Sequence, residues 1–134
     1  MTKLSPLQNC TWINPDIYKD TRGIIRSYYS DEKIVEWNLM ITRKDEARGY
    51  HYHPHFIEYM TVVNGSCTFY EFSNGKKYAC DLEIGDSIRI PIGTAHAFVA
   101  LTNFSFVSLL TRRWNNSEPP IVKVDHNGNE QQPI

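Results

Sequence analysis

The sequence predicts an all-β fold, on the evidence of its strand-forming runs, its turn residues and the lack of a helical pattern. Short runs of β-branched and aromatic residues alternate with turn signals about every 8–12 residues, the spacing typical of sandwiches and barrels. Apolar residues do not recur at helical spacing over about three turns anywhere in the chain. Roughly eight strands or more fit into this length, which favours a jelly roll built from two antiparallel sheets.

The individual strands follow from runs rich in Val, Ile, Thr, Phe and Tyr. In chain order, the predicted strands cover residues 23–29, 34–43, 56–72, 76–82, 87–90, 97–101 and 104–113. The longest run is interrupted by Asn64-Gly65, and Asn-Gly between two such runs is the strongest short signal for a β-hairpin. Further turns are predicted at residues 73–75, 83–86, 91–93 and 102–103.

The whole chain, residues 1–134, is predicted to be one domain. A chain of this length forms a single core, and no internal repeat or linker divides it. Residues 1–20 are polar with scattered Pro and Asn, and we expect an N-terminal arm or edge strand. Residues 115–134 form a polar, proline-containing tail, and we expect its last ten residues to be disordered.

The bulk composition excludes several classes of partner. A net charge of −1 gives no reason to expect nucleic acid or an acidic membrane surface. Three cysteines without close spacing argue against a disulfide framework and for a reducing compartment. The first residues lack an apolar signal region, and no run approaches transmembrane length. We therefore expect a cytoplasmic protein that binds neither nucleic acid nor membrane.

The candidate metal ligands come from two short segments rich in histidine. His51 and His53 are two residues apart, so both point to one face of a strand. Glu58 follows an irregular break at Pro54 and can rejoin that face, and His96 follows a turn that ends one strand and starts the next. Three imidazoles and one carboxylate suit a single divalent ion, with zinc favoured and iron, nickel or manganese as alternatives.

The spacing of these ligands resembles the two conserved motifs of the cupin superfamily. The matching residues run His51-x-His53-x4-Glu58-x6-Gly65 and then Gly85-x5-Pro91-x-Gly93-x2-His96. The first motif departs from the family pattern at Gly49, which stands two residues before His51 instead of five. The second departs at Ala100, where the family commonly has Asn. This resemblance implies the double-stranded β-helix, the jelly roll of cupins.

A narrower resemblance covers more of the chain. It rests on Asp20-x-Arg22-Gly23, Arg48-Gly49-Tyr50-His51-Tyr52, Val62-Val63-x-Gly65 and Ile90-Pro91-x-Gly93-x-Ala95-His96-x-Phe98. These segments are similar to cofactor-free epimerases of the dTDP-4-keto-6-deoxyglucose 3,5-epimerase type, which have Lys and Gln where this chain has Glu58 and His53. The chain looks more similar still to the zinc-bearing C-terminal cupin domain of capsular-polysaccharide reductase/epimerases. Sugar 3,4-ketoisomerases share the Arg-Gly-x-His-x-His segment.

The resemblance also suggests roles for individual residues. His51 matches the catalytic histidine of the metal-free epimerases. The other candidate acids or bases are Tyr52, His55 and Tyr59. For the substrate, Arg22 and Arg48 are candidates to hold a diphosphate, because guanidinium binds phosphate oxygens in pairs, and Asn38 is a further candidate contact. The resemblance also implies a dimer in which an N-terminal strand crosses to the partner subunit, so we expect a homodimer.

Three functions remain open from the sequence. The first is a metal-binding cupin that acts on a nucleotide-linked 4-keto-6-deoxy sugar. It would epimerise C3, or C3 and C5, or carry out 3,4-ketoisomerisation, each through an enolate. The second is a non-haem iron dioxygenase, since three histidines and a glutamate suit iron and oxygen. The third is a non-catalytic cupin that binds a small ligand.

Overall fold

Nearly all regular structure in the computed structural model, which describes residues 7–130, is β-strand. The strands are β1 (Thr11–Trp12), β2 (Asp16–Asp20), β3 (Gly23–Ser27), β4 (Glu36–Thr42), β5 (Ala47–Tyr52), β6 (Glu58–Asn64), β7 (Ser66–Ser73), β8 (Lys76–Glu83), β9 (Ser87–Ile90), β10 (Ala95–Ala100), β11 (Phe104–Leu110) and β12 (Val122–Lys123). A short 3-10 helix, Trp114–Asn116, lies between β11 and β12. None of the helical structure among residues 7–130 has the length and hydropathy needed to cross a membrane.

Two antiparallel sheets face each other. The first sheet has the strand order β1-β9-β6-β11-β4 and the second has the order β12-β5-β10-β7-β8. Strands β2 and β3 form a separate hairpin. Neighbours in each sheet come from distant parts of the chain, as expected for a jelly roll. The prediction of an all-β, double-stranded jelly roll is confirmed.

The hydrophobic core fills the space between the sheets. Strand β11 alternates strictly, with Phe104, Phe106, Ser108 and Leu110 buried and the residues between them half-buried. This period of two sends every second side chain inward. The rings of Phe104 and Phe106 both lie edge-on to Phe98 of β10, at centroid distances of 5.2 and 5.1 Å. The aromatic contacts therefore join the first sheet to the second.

The hairpin predicted at Asn64-Gly65 is wrong. Strand β6 pairs with β9 and β11 in the first sheet, whereas β7 pairs with β8 and β10 in the second. Gly65 has φ +72°, and a Cβ on it would lie 2.2 Å from the carbonyl oxygen of Asn103. The dipeptide therefore carries the chain from one sheet to the other. The similar pair Asn74-Gly75, with φ of 55° and 72°, does close a hairpin, between β7 and β8.

The ends of the described chain are more ordered than expected. The disorder expected for the last ten residues is wrong for residues 125–130, while residues 131–134 lie outside the described part. Strand β12 pairs with β5, Val124 is buried, and Val124 forms a bridge with Glu130. At the other end, β1 is an edge strand against β9. The expectation of an arm at residues 1–6 lies outside the described residues.

Candidate functional site

Three histidines meet where β5 and β10 pair. His51 of β5 stands directly opposite His96 of β10, and His53 follows the end of β5. One ring nitrogen from each histidine lies within 4.8 Å of those of the other two. The close approach of the strands depends on Gly49, because a Cβ there would lie 2.8 Å from the carbonyl oxygen of His96. Its φ of +95° also favours glycine.

Glu58 joins this cluster from the opposite sheet, as the first residue of β6. Its Oε1 lies 3.1 Å from His53 Nε2 and 3.6 Å from His96 Nε2. The hydroxyl of Ser108 donates to its other oxygen. The structure therefore brings together the four side chains predicted to bind a metal, His51, His53, Glu58 and His96.

Backbone carbonyls hold two of the rings. His53 Nδ1 is 3.1 Å from the carbonyl oxygen of Pro120, and His96 Nδ1 is 2.9 Å from that of Thr94. A carbonyl only accepts, so both Nδ1 atoms carry the proton and donate it. The Nε2 atoms of both rings are thereby directed toward Glu58.

Burial changes the protonation of the cluster. Burial, together with the neighbouring His96 and His53, lowers the pKa of His51 from 6.5 to about 3, so its imidazole is neutral. Burial by itself would raise the pKa of Glu58. The adjacent His53 and His96 outweigh it and hold that pKa well below 4.5, so the carboxylate is ionised.

A cavity of about 660 Å³ contains the cluster. Its wall is largely apolar, with Met40, Met60, Ile90, Phe98, Phe106, Leu110 and Trp114 among the lining side chains. Polar groups reach it from Glu36, Asn38, Arg48, Ser108 and Asn115. Two of the three predicted substrate contacts, Arg48 and Asn38, are therefore cavity residues. Arg48 is held by a hydrogen bond of 3.0 Å from its Nε to Thr42 Oγ1.

Arg22, the third predicted substrate contact, lies elsewhere. It occupies the turn of the β2–β3 hairpin, and its side chain is 84% exposed. Its guanidinium pairs with Asp20 at 2.6 Å. It is not among the residues that line this cavity, and its hairpin is paired with neither of the two larger sheets.

Three predicted catalytic residues also lie outside the cavity. Tyr52 and Tyr59 each follow an inward-facing residue by one position, so they point to the other face of their strands. Tyr52 donates a hydrogen bond to Glu130, and Tyr59 donates one to Glu32. His55 is exposed in the loop before β6. The catalytic roles expected of Tyr52, His55 and Tyr59 therefore have no support from the cavity geometry.

Sequence reasoning missed several residues of the site. Ser108 is a polar residue at an inward position of β11, and that break in the apolar alternation could have identified it. Glu36 lies two residues before Asn38 on β4, and both line the cavity. Because residues two apart in a strand share a face, the choice of Asn38 could have identified Glu36 as well. Trp114 and Pro120 carried no such signal, because the tail containing them has no periodic pattern.

The fold is similar to that of several solved structures. No protein-family model matches the sequence, and comparison with curated proteins gives no match either. The 3'-monoepimerase ChmJ from Streptomyces bikiniensis, solved with dTDP-quinovose, aligns with a TM-score of 0.79 and 18% identity over 92% of this chain and 74% of that one. The RmlC epimerase of Mycobacterium tuberculosis aligns with a TM-score of 0.77 and 20% identity over 94% and 75%.

A third similar structure is a mutant of the 3,4-ketoisomerase QdtA from Thermoanaerobacterium thermosaccharolyticum, in complex with TDP-4-keto-6-deoxyglucose. It aligns with a TM-score of 0.74 and 16% identity over 87% of this chain and 88% of that one. At such identities the likeness establishes the fold alone. The chain therefore has the all-β jelly roll of the cupin type that these proteins share.

Proposed function

We propose that His51, His53, His96 and Glu58 bind one divalent metal ion, and that the surrounding cavity converts a nucleotide-linked 4-keto-6-deoxy sugar. The reaction is epimerisation at C3, or at C3 and C5, or 3,4-ketoisomerisation. The observation that carries the proposal is the histidine–glutamate cluster inside the cavity. It is supported by the fold, which solved epimerases and a ketoisomerase share.

The distances from Glu58 to two of the histidines fit a metal ion. A tetrahedral zinc site with bonds of about 2.0–2.1 Å has neighbouring ligand atoms about 3.3 Å apart. The distances of 3.1 and 3.6 Å from Glu58 Oε1 to the two Nε2 atoms lie on either side of that value. The donor set suits zinc first, and also iron, nickel or manganese.

The hydrogen-bond pattern also favours a cation. His53 and His96 each have an acceptor oxygen at both ring nitrogens, namely a backbone carbonyl at Nδ1 and Glu58 at Nε2. A neutral imidazole has only one proton to donate. A positive ion between the Nε2 atoms and Glu58 would satisfy the carboxylate and both nitrogen lone pairs. Carbonyls behind ligating histidines are the usual outer partners of such sites.

Each of these reactions requires a base that takes the proton beside the ketone, which produces an enolate, and an acid that returns a proton to carbon. A bound divalent ion would stabilise the negative charge on the ketone oxygen. Arg48 would pair with the diphosphate, and Asn38 would contact the sugar. The apolar wall around Met60 and Phe106 would exclude water. A pKa of about 3 makes His51 a weak base, so we assign it to the ion and not to proton transfer.

We also propose that the protein forms a homodimer. Both faces of the β2–β3 hairpin carry exposed apolar side chains, including Ile17 at 54%, Tyr18 at 58% and Ile25 at 59% exposure. The edge strand β4 exposes Trp37 at 72%. Burial of these surfaces against a second copy would remove apolar area from water. Sedimentation that shows a monomer at micromolar concentration would contradict this state.

A second candidate function is a non-haem iron dioxygenase. The three imidazoles and the carboxylate suit iron, and the mainly apolar wall suits a small apolar substrate. Iron in the purified protein, together with substrate-dependent oxygen uptake, would favour this function over the first. Binding of a ligand with neither exchange nor oxygen uptake would indicate the non-catalytic cupin.

The proposal is tested by solvent deuterium exchange into a panel of nucleotide 4-keto-6-deoxy sugars, followed by NMR. The wild type is expected to exchange the proton at C3 or C5. His96→Ala is expected to abolish exchange, and the exposed His55→Ala to retain it. Metal analysis of the three proteins accompanies the assay. No exchange with any sugar of the panel would reject the epimerase and ketoisomerase activities for these substrates.

A further inference from the structure

The C-terminal strap, defined here as residues 114–124, is anchored to both sheets. At its start, the backbone N–H of Trp114 donates to Glu36 Oε1 at 2.9 Å, and Glu36 belongs to β4 of the first sheet. At its end, β12 pairs with β5 of the second sheet, and the N–H of Val124 donates to the carbonyl of Tyr50 at 2.9 Å. The strap therefore spans the two sheets beside the cavity, where Trp114 and Asn115 form part of the wall.

Two residues of the strap, Pro120 and Trp114, lie next to His53. The carbonyl of Pro120 accepts the Nδ1–H bond of 3.1 Å. The Trp114 ring lies 6.1 Å from the His53 ring and 6.0 Å from Phe56, which stacks on His53 at 4.5 Å. Ser117 within the strap is fully buried, and its hydroxyl donates to the carbonyl of Arg113 at 2.8 Å.

His96, unlike His53, is held by a partner that is close to it in the sequence. Its Nδ1 partner is Thr94, only two residues away in the chain. The partner of His53 is 67 residues away in sequence. His96 is thus positioned by its own turn and strand, whereas the orientation of His53 depends on how the strap is fastened.

We propose that the C-terminal strap positions His53 for metal binding, with the Pro120 carbonyl fixing its tautomer and Glu36 fastening the strap. This inference rests on the metal centre of the proposed function. A carbonyl at Nδ1 keeps the proton there and leaves the Nε2 lone pair free for an ion. Loss of the Glu36 hydrogen bond releases the start of the strap, so the carbonyl no longer holds one tautomer. Glu36 and Pro120 are accordingly positioning residues and not ligands.

The test compares Glu36→Ala with two controls. Glu36→Gln keeps a carbonyl oxygen that can accept the Trp114 N–H. Glu36 has two hydrogen-bond partners, because its Oε2 also accepts from Asn38 Nδ2 at 3.0 Å. Glu32→Ala likewise removes a carboxylate with two partners, Tyr59 and Arg89, but lies outside the cavity lining. We expect Glu36→Ala to weaken Co²⁺ and Zn²⁺ binding roughly tenfold, within the range of outer-sphere substitutions. Glu36→Gln and Glu32→Ala are expected to bind like the wild type.

A second readout uses the metal-free protein. The ¹⁵N chemical shifts of the His53 ring are expected to show a single Nδ1–H tautomer in the wild type and a mixture in Glu36→Ala. An unchanged tautomer and unchanged affinity in Glu36→Ala would overturn the proposal, as would equal losses in Glu36→Gln. If Glu36→Ala fails to fold, Ser117→Ala replaces it, because it removes the hydrogen bond from Ser117 to the Arg113 carbonyl. This variant is also expected to bind metal more weakly and to show a mixture of His53 tautomers.

The experiments distinguish an error in the proposed role of the strap from an error in the proposed metal centre. A wild type that binds neither Co²⁺ nor Zn²⁺ would overturn the metal centre and the affinity effect with it. A tautomer shift in metal-free Glu36→Ala would support the role of the strap in orienting His53 without any metal present. Weaker metal binding with no change of tautomer would contradict positioning through Pro120.

Discussion

Individual side chains of the site differ in what holds them, and this determines how each responds to change. His53 and His96 have carbonyl partners behind the ring and Glu58 in front. His51 faces the other two imidazoles, at ring centroid distances of 4.8 and 5.0 Å. Its environment therefore opposes a positive charge. The imidazole of His51 is neutral and the carboxylate of Glu58 is ionised, so the site would attract a cation.

Metal-free protein is expected to lose stability as the pH falls from about 6.5 toward about 3. The pKa of His51 is depressed in the folded state, so over this interval the unfolded chain binds a proton that the folded chain does not. The free energy of unfolding should therefore decrease with falling pH, by up to about 1.4 kcal/mol per pH unit from this group. This contribution is fully present above the unfolded pKa and is lost as the pH approaches the folded one.

The measurement is denaturant unfolding in chelator at several pH values between about 7 and 4. His51→Gln removes the titrating ring and should give a shallower pH dependence than the wild type. Equal slopes in the two proteins would show that His51 does not carry the effect.

Arg48→Ala is expected to raise KM for the nucleotide sugar about tenfold or more, with a smaller change in kcat. A charged hydrogen bond to a phosphate contributes about 1.5–3 kcal/mol, and a contact to a non-reacting part of the substrate acts mainly on binding. Steady-state kinetics with the sugar identified by deuterium exchange would measure it. Arg112→Ala, an exposed arginine outside the cavity lining, is the matched control. A KM unchanged by Arg48→Ala would exclude this contact.

At the level of strands and turns, the same dipeptide, Asn-Gly, closes a hairpin at one place in the chain and not at another. Asn74-Gly75 closes a hairpin between β7 and β8, whereas Asn64-Gly65 carries the chain from one sheet to the other. The glycine has φ +72° at both places, but of the two asparagines only Asn74, at the hairpin, has positive φ, at 55°. A hairpin turn of this kind needs positive φ at both residues, so the glycine alone does not decide which strands pair.

These two glycines provide a matched pair of substitutions. Gly75→Ala is expected to cost about 1–2 kcal/mol for placing a Cβ at positive φ, since nothing lies within 4 Å of the added atom. Gly65→Ala should cost clearly more, because its Cβ would also lie 2.2 Å from the Asn103 carbonyl and 2.6 Å from Thr102 Oγ1. Chemical denaturation of both variants measures the difference. Equal losses would contradict the close packing at the crossing.

The molecule as a whole joins the donors across its two sheets. His51 and His96 belong to the second sheet and Glu58 to the first, so a shared ion would link the two sheets through the cavity. Binding of an ion to the folded state alone must stabilise it, because the unfolded chain does not keep these four side chains together. The proposed centre thus makes stability depend on free metal.

Zinc at about 1,000 times its dissociation constant is expected to raise the free energy of unfolding by about 4 kcal/mol, and chelator to reverse this. Denaturant unfolding with and without zinc is the measurement. His96→Ala should lose the zinc dependence, while His55→Ala, which alters an exposed histidine outside the cavity, should keep it. Equal stabilisation of both variants would show that zinc binds elsewhere.

Some features of this protein could be predicted from the sequence by itself because they depend on near neighbours in the chain. Alternation with a period of two was sufficient for the all-β class and most of the strands. The separation of His51 and His53 by two residues was sufficient to place both on one face. The motif spacing identified the four side chains that the structure brings together.

Other features were decided only by the tertiary structure, because they depend on contacts between residues far apart in sequence. Strand partners placed Asn64-Gly65 between the sheets, and Tyr52 and Tyr59 donate hydrogen bonds to Glu130 and Glu32, which are distant in sequence. The tail has no periodic pattern, yet hydrogen bonds to β4 and β5 hold it beside His53. Packing of distant segments, which no local pattern encodes, therefore determines how the site is enclosed.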